Sequence, residues 1–364
     1  MIIRELLESA IERRASDLHL LNGLPPTIRI DGELVFLLEE VLTSKSIEEM
    51  VFSLTSQEQR EMILTNRELD FSLSFGDKAR LRVNVYFQKG TLAAEFRFIP
   101  LLISGIEELN LPEICHEFAR LRQGFILVTG PTGHGKSTTL AAILDEINQN
   151  RACHILTIED PIEFVFSPRK AIISQREVHT DTHSWEIAFR SALREDPDVV
   201  LAGEMRDLET ISAALTMAET GHLIFSSLHT NSAAQTVDRI IDVFPEHSKN
   251  QVRMQLAATL KGVISQRLLP ALPAGRPALP SQGQSSGRIP AIEIMLASPA
   301  IQTAIREGKT HMIDNIIQTS AELGMISLES YLAQLVKKGR ISLEIAREFS
   351  LRPEELMRQV RRKS

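Results

Sequence analysis

The feature that most constrains this chain is the run Phe125-Ile126-Leu127-Val128-Thr129-Gly130-Pro131-Thr132-Gly133-His134-Gly135-Lys136-Ser137-Thr138. An apolar stretch ends in a glycine-rich turn, and the turn opens onto Lys136-Ser137. This is the phosphate-loop pattern G-x-x-x-x-G-K-[ST] in its strand–loop–helix setting. Gly130, Gly133 and Gly135 let the segment Gly130–Thr138, with Pro131, Thr132 and His134 between them, turn its amides toward phosphate oxygens. The following helix adds positive potential at the same place. Lys136 is placed to reach β- and γ-phosphates, and the Ser137 hydroxyl to ligate Mg²⁺. Leu140, Ile143, Leu144 and Ile147 fall on one face of that helix.

The rest of the chain bounds the reading. With 364 residues there is room for two domains. Forty Lys and Arg against 47 Asp and Glu give a net charge of -7. That balance argues against direct binding of nucleic acid. Cys115 and Cys153 form no C-x-x-C pair, so no thiolate zinc site is expected and a reducing compartment is the simplest setting. Arg4, Glu5, Glu8 and Glu12 interrupt any signal-peptide core, and no apolar run reaches the length of a transmembrane segment.

Residues 1–100 read as a small α+β domain. The spacing predicts a helix over Ile2–Arg14, a pair of strands around Asp31-Gly32 and one helix over Thr43–Leu64. Sheet follows from Asp70 to Pro100, where Phe71, Leu73, Phe75, Leu81, Val83, Val85 and Phe87 alternate with polar residues. A linker, residues 101–111, leads into a second domain over 112–364. There the expected strands are Phe125–Thr129, His154–Ile158, Val199–Ala202 and Leu223–Ser226, separated by helical stretches, as in a parallel α/β sheet. Pro270–Pro290 reads as an exposed loop, and Ala300–Arg306 and Ser327–Lys338 as helices. The basic end, Arg358, Arg361, Arg362 and Lys363, reads as a solvated helix terminus.

Ligands gather at the carboxyl ends of parallel strands, and every chemically interesting cluster of the second domain is expected to stand at such an end. Glu159, Asp160 and Glu163 follow the second strand; their bland reading is a solvated turn, their sharp one the orientation of attacking water. Val199–Gly203 closes on Glu204, an acid placed to hold Mg²⁺. His222 and His229 lie at the two ends of one strand, and each alone is more often structural. Arg82 and Arg97 lie on the first domain's sheet, where arginines usually serve the surface, yet a fixed charge suits them to phosphate.

Taken together these blocks resemble the secretion-superfamily ATPases, in the PilT-type branch of type IV pilus retraction motors. The resemblance runs through Ala15-Ser16-Asp17-Leu18-His19, the phosphate loop, Ile158–Glu163, Ser191–Asp198, Gly203-Glu204-Met205-Arg206-Asp207 and Gly221–Thr230. It implies a PAS-like N-terminal α+β domain, a RecA-like P-loop NTPase domain and a homohexamer that hydrolyses ATP with Mg²⁺. It also implies a cytoplasmic protein, peripheral at the inner membrane, whose partners are the pilus platform protein and a paralogous retraction ATPase. Under it Glu163 is the catalytic base and Glu204 handles Mg²⁺ and water. Arg82 and Arg97 contact phosphate, and His222 and His229 match the histidine box. The chain has neither the long N-terminal extension nor the four-cysteine insertion usual in the extension and type II secretion branches. Three departures stand out: His134, where the loop usually has a small residue, with a side chain expected to be able to point outward; Gln302 in place of an arginine; and a Pro270–Pro290 loop longer than usual. They leave both a main retraction motor and a specialised paralogue open. A nucleic-acid motor and an ATP-holding module without turnover are the competing classes.

Overall fold

The computed structural model describes residues 2–30, 33–76, 79–99, 102–205, 207–272 and 287–361. The chain forms two compact units, Met1–Leu102 with Glu163–Val165, and Ile103–Ile162 with Phe166–Ser364.

The first unit is built on a sheet of six antiparallel strands. Helix α1 (Ile3–Glu12) buries Ile3, Leu6, Leu7 and Ala10, the face expected from the sequence. Strands β1 (Asp17–Leu20), β2 (Thr27–Ile30), β3 (Glu33–Phe36), β4 (Glu68–Phe75), β5 (Ala79–Gln88) and β6 (Thr91–Ile99) order as β3-β2-β1-β6-β5-β4. β2 and β3 pair as the expected hairpin, with Ile30 opposite Glu33; the Asp31-Gly32 turn itself lies outside the described residues. Alternation along β5 puts Leu81, Val83 and Val85 into the core with Phe96 of β6, and turns Arg80, Arg82 and Asn84 to the other face.

The single helix expected over Thr43–Leu64 is two: α2 (Ser44–Leu54) and α3 (Gln57–Asn66). Thr55 and Ser56 are extended, and the Ser56 hydroxyl and the Gln59 side chain accept from each other's backbone N–H groups. This capping box satisfies orphan donors and starts a new helix where apolar periodicity alone would continue the old one.

The second unit wraps α4 (Ile114–Arg120) and further helices around a largely parallel sheet. Its strands are β7 (Gly124–Thr129), β8 (His154–Glu159), β9 (Ile172–Glu177), β10 (Val199–Glu204), β11 (Leu223–Leu228), β12 (Leu260–Pro270) and β13 (Arg288–Leu296). They order as β13-β12-β7-β11-β10-β8-β9, and β13 alone runs antiparallel to its neighbour. The four expected strands are present. β9, β12 and β13 were not foreseen. β12 and β13 reach into both ends of the segment read as the Pro270–Pro290 loop, whose middle, residues 273–286, lies outside the described residues. Pro290 is tolerated because β13 is an edge strand.

Helices α5 (Lys136–Asn150), α6 (Trp185–Ala192), α7 (Leu208–Glu219), α8 (Ala233–Asp242), α9 (Glu246–Thr259), α10 (Pro299–Arg306) and α11 (Ile313–Thr319) complete this layer. Phe125, Leu127, Leu156, Val200 and Ile224 form the buried centre of the sheet. A separate cluster joins β12 and β13 to α12 (Leu328–Lys337), α13 (Leu343–Phe349) and α14 (Pro353–Arg361) through Leu269, Ile289, Leu332 and Leu356. Arg362 and Lys363 of the basic end lie outside the described residues.

Candidate active site

β7 is buried along its whole length and delivers the chain to Gly130. Gly130 has φ +143°, and a Cβ there would sit 2.2 Å from the backbone carbonyl oxygen of Gln266 on β12. Only glycine allows that approach. Gly135 is left-handed at φ +81° and serves as the N-cap of α5 without a side-chain cap. The first N–H groups of α5 therefore have no side chain of the cap to satisfy them, which suits a helix start to an anion.

The Lys136 side chain is buried and folds back over the loop. Its Nζ donates to the carbonyls of Gly130 at 3.0 Å and Pro131 at 3.1 Å. It also lies 3.4 Å from Nδ1 of His229, and the Thr132 hydroxyl lies 3.2 Å from the same nitrogen. An ammonium can only donate, so Nδ1 accepts and the ring proton sits on Nε2. That nitrogen faces the Glu204 carboxylate at 3.1 Å. His229 thus connects the acid that closes β10 to the lysine and threonine of the phosphate loop. Parallel pairing brings this about: Leu228 lies opposite Thr129, and Ser227 opposite Glu204.

The other sequence-predicted residues stand elsewhere. His222 precedes β11 at the amino end of the sheet, roughly 20 Å of strand from His229 at about 3.3 Å per residue. Its Nδ1 lies 3.0 Å from the Met217 carbonyl and 3.1 Å from the Thr220 hydroxyl, so it finishes α7. Within one chain it does not join the loop. Glu163 is exposed and belongs with the first unit, where its charge helps to raise Arg97.

Arg82 and Arg97 are directly opposite one another on β5 and β6. Pairing extends the row across the sheet: Arg29, Asp17, Arg97, Arg82 and Ser72 lie side by side on β2, β1, β6, β5 and β4. Asp17 is buried and binds Arg97 at 2.9 Å and Arg29 at 3.6 Å. The Arg97 guanidinium is held above its ordinary value first by the hydrogen bond to Asp17, against the opposing effect of burial. Like charges opposite each other repel, and Asp17 offsets this for one of the two. Arg29 was not foreseen, because its neighbours are set by strand pairing at long range.

The loop's backing was also unforeseen. Gln266 on β12, almost wholly buried, donates from Nε2 to the His134 carbonyl at 2.8 Å and accepts the Thr139 hydroxyl at 2.7 Å. The Leu268 N–H donates to Nδ1 of His134 at 2.9 Å, and the His134 ring lies 6.5 Å from that of Phe349. The His134 side chain is therefore turned onto β12 and not out to solvent. Burial first, then Arg267, Lys136 and Arg288, push its pKa below the ordinary histidine value. Arg288 at the start of β13 reaches the Gly133 carbonyl at 3.4 Å. The run Val263-Ile264 and the β-branched stretch Ile289–Ile294 were the signal for these two strands.

The glycine cradle and uncapped helix start fit a polyphosphate. Ser137 and Glu204 offer hard oxygen donors of the kind Mg²⁺ takes. No group of three metal-binding side chains occurs among the described residues. Among the described residues no helix is long and apolar enough to cross a membrane.

Residues 94–347 match the family described as "Type II/IV secretion system protein". The Pseudomonas aeruginosa protein named "Type IV pilus retractation ATPase PilT" is 47% identical over 354 residues, 97% of this chain and 99% of that one. The "Type IV pilus ATPase PilU" of the same organism is 36% identical over 346 residues, 95% of this chain and 88% of its own. Among solved structures, the "Pilus Retraction Motor PilT and Bound ADP" superposes with a TM-score of 0.90 at 43% identity, covering 98% of this chain and 99% of that one.

Proposed function

This chain belongs to the type II/IV secretion system protein family, and on that premise we propose that it is the ATP-hydrolysing motor of type IV pilus retraction. The observation that carries the chemistry is the link Glu204–His229–Lys136/Thr132 across the mouth of the phosphate loop.

Each residue then has a task. Lys136 and the amides of Gly130–Thr138 hold the phosphates. Ser137 and Glu204 are the residues that would hold Mg²⁺, which would supply charge neutralisation to the phosphates. Glu163 orients the attacking water, and Arg82 and Arg97 supply positive charge to the γ-phosphate. An anion at the loop competes with His229 for Lys136 and Thr132. The imidazole is thereby placed to pass the state of the phosphate to Glu204. Coupling of phosphate loss to motion follows the general logic of nucleotide switches.

The higher identity to PilT, 47% against 36% for PilU, favours the principal retraction motor over a specialised paralogue. The finer reading is a homohexamer working at the cytoplasmic face of the inner membrane, against a platform protein and beside a PilU-like paralogue. The likeness to PilT and PilU supports it. The deciding experiment is deletion of the gene in its host, scored for surface pili and twitching. Hyperpiliated, non-motile cells are expected. Bald cells would refute retraction in favour of extension.

A further inference from the structure

The phosphate loop is fastened along one side to the β12–β13 hairpin. Four contacts do this: Gln266 to the His134 carbonyl, Thr139 to Gln266, Arg288 to the Gly133 carbonyl and the Leu268 N–H to the His134 ring. Three of them use groups that any loop residue or a neighbour provides. The fourth depends on the side chain at position 134, because a small residue there offers no acceptor to the Leu268 N–H.

The same ring meets the C-terminal helices. It packs tilted at 55° against Phe349, the last residue of α13. Next to Leu268 on the hairpin, Arg267 donates to the Phe349 carbonyl at 2.9 Å. Leu269, one residue further, is buried in the cluster formed by β12, β13 and α12–α14. His134 therefore touches both the strand that backs the loop and the C-terminal helix layer.

We infer that His134 is a positioning residue for nucleotide binding: through its Nδ1 acceptor it holds the phosphate loop against Leu268, and through its ring it makes the loop's order depend on Phe349 of the C-terminal helix layer. This rests on the reading of the loop as the nucleotide site. The tautomer is fixed by the contact, since a backbone N–H can only donate and Nδ1 must carry the lone pair. Burial, and then the cationic neighbours Arg267, Lys136 and Arg288, favour the neutral ring that this contact requires.

The test uses two substitutions of like polarity. His134→Asn places its side-chain oxygen near the position of Nδ1 and can accept from Leu268. His134→Gln carries its amide one bond further and cannot keep the same contact. The probe is a fluorescent N-methylanthraniloyl ADP, titrated into the full chain. His134→Asn, which keeps the acceptor but loses the ring against Phe349, should bind about threefold more weakly than wild type, as Phe349→Ala should, and His134→Gln, which keeps neither, about tenfold more weakly, the size of one lost hydrogen bond. Phe349→Ala should weaken binding in the wild type and add nothing in the His134→Gln background, since both act through one contact.

Equal binding by the Asn and Gln variants, with wild type bound, would overturn the positioning role. So would a Phe349→Ala effect that simply adds to that of His134→Gln. Failure of wild type itself to bind the probe would end the nucleotide-site reading and this one with it.

Discussion

Replacing Gln266 by leucine tests the claim that a strand outside the loop motif keeps the phosphate loop in shape. Gln266 is 2% exposed, and both ends of its amide are used. Leucine has similar volume and neither polar atom. The Thr139 hydroxyl, itself 1% exposed, loses its acceptor, and the His134 carbonyl loses its donor. Each orphaned buried group costs about 1–3 kcal/mol. The hydroxyl can turn toward the carbonyl of Gly135, four residues back, and recover part of its loss. Greater apolar burial offsets roughly another 1 kcal/mol. The net destabilisation should be about 2–3 kcal/mol.

The chain has one tryptophan, Trp185, packed on the core of the second unit and stacked with Phe189. Its fluorescence during urea unfolding therefore reports on the unit that carries Gln266. For a unit of this size the midpoint should fall by roughly 1 M. Gln266→Glu keeps the acceptor for Thr139 but sets a second oxygen against the His134 carbonyl, so at neutral pH it should be at least as damaging. A loss below about 0.5 kcal/mol for the leucine variant, or a glutamate variant as stable as wild type, would refute the reasoning.

Two further outcomes follow. Glu163→Gln should bind ATP with near-normal affinity and hydrolyse almost none, measured as phosphate release; near-normal turnover would remove Glu163 from the base role. Glu293, on β13 beneath the start of α8, accepts the Ala233 N–H at 2.7 Å, and burial raises its pKa from 4.5 to about 7. A carboxyl raised on folding contributes fully below its ordinary range, and that contribution is lost as pH rises through about 7. At 1.36 kcal/mol per pH unit the loss is roughly 3 kcal/mol. Glu293→Gln should therefore gain on wild type by up to that amount between pH 4.5 and pH 8 in urea unfolding. A difference that does not change with pH would contradict it.

Local patterns made much of this protein legible. The phosphate loop, the strand that feeds it and the apolar face of α5 follow from residues adjacent in sequence. So do the alternation of β5 and the acid that ends β10. What escaped was decided at long range or by competing local signals. Lys261, Ser265, Gln266 and Arg267 break the apolar pattern of β12, and the Pro, Gly and Ser residues between Pro270 and Pro290 read as a loop that took in the start of β13. Ser56 with Gln59 restarted a helix that hydrophobic spacing alone carried through. The inward turn of His134 could not be foreseen, because Leu268 lies 134 residues away in the chain. For the same reason Arg97 was read without Asp17, its buried partner eighty positions earlier.

That carboxylate serves two cations at once, Arg97 closely and Arg29 at a longer distance. Sharing of this kind makes either cation cheap to lend. If Arg97 swings toward a stronger anion, Asp17 keeps Arg29 beside it and is not stranded as a lone buried charge. The reverse exchange is equally mild when the anion departs. A guanidinium that can be given away and taken back at small cost is what a machine needs if it is to cycle many times without climbing a steep barrier at each turn.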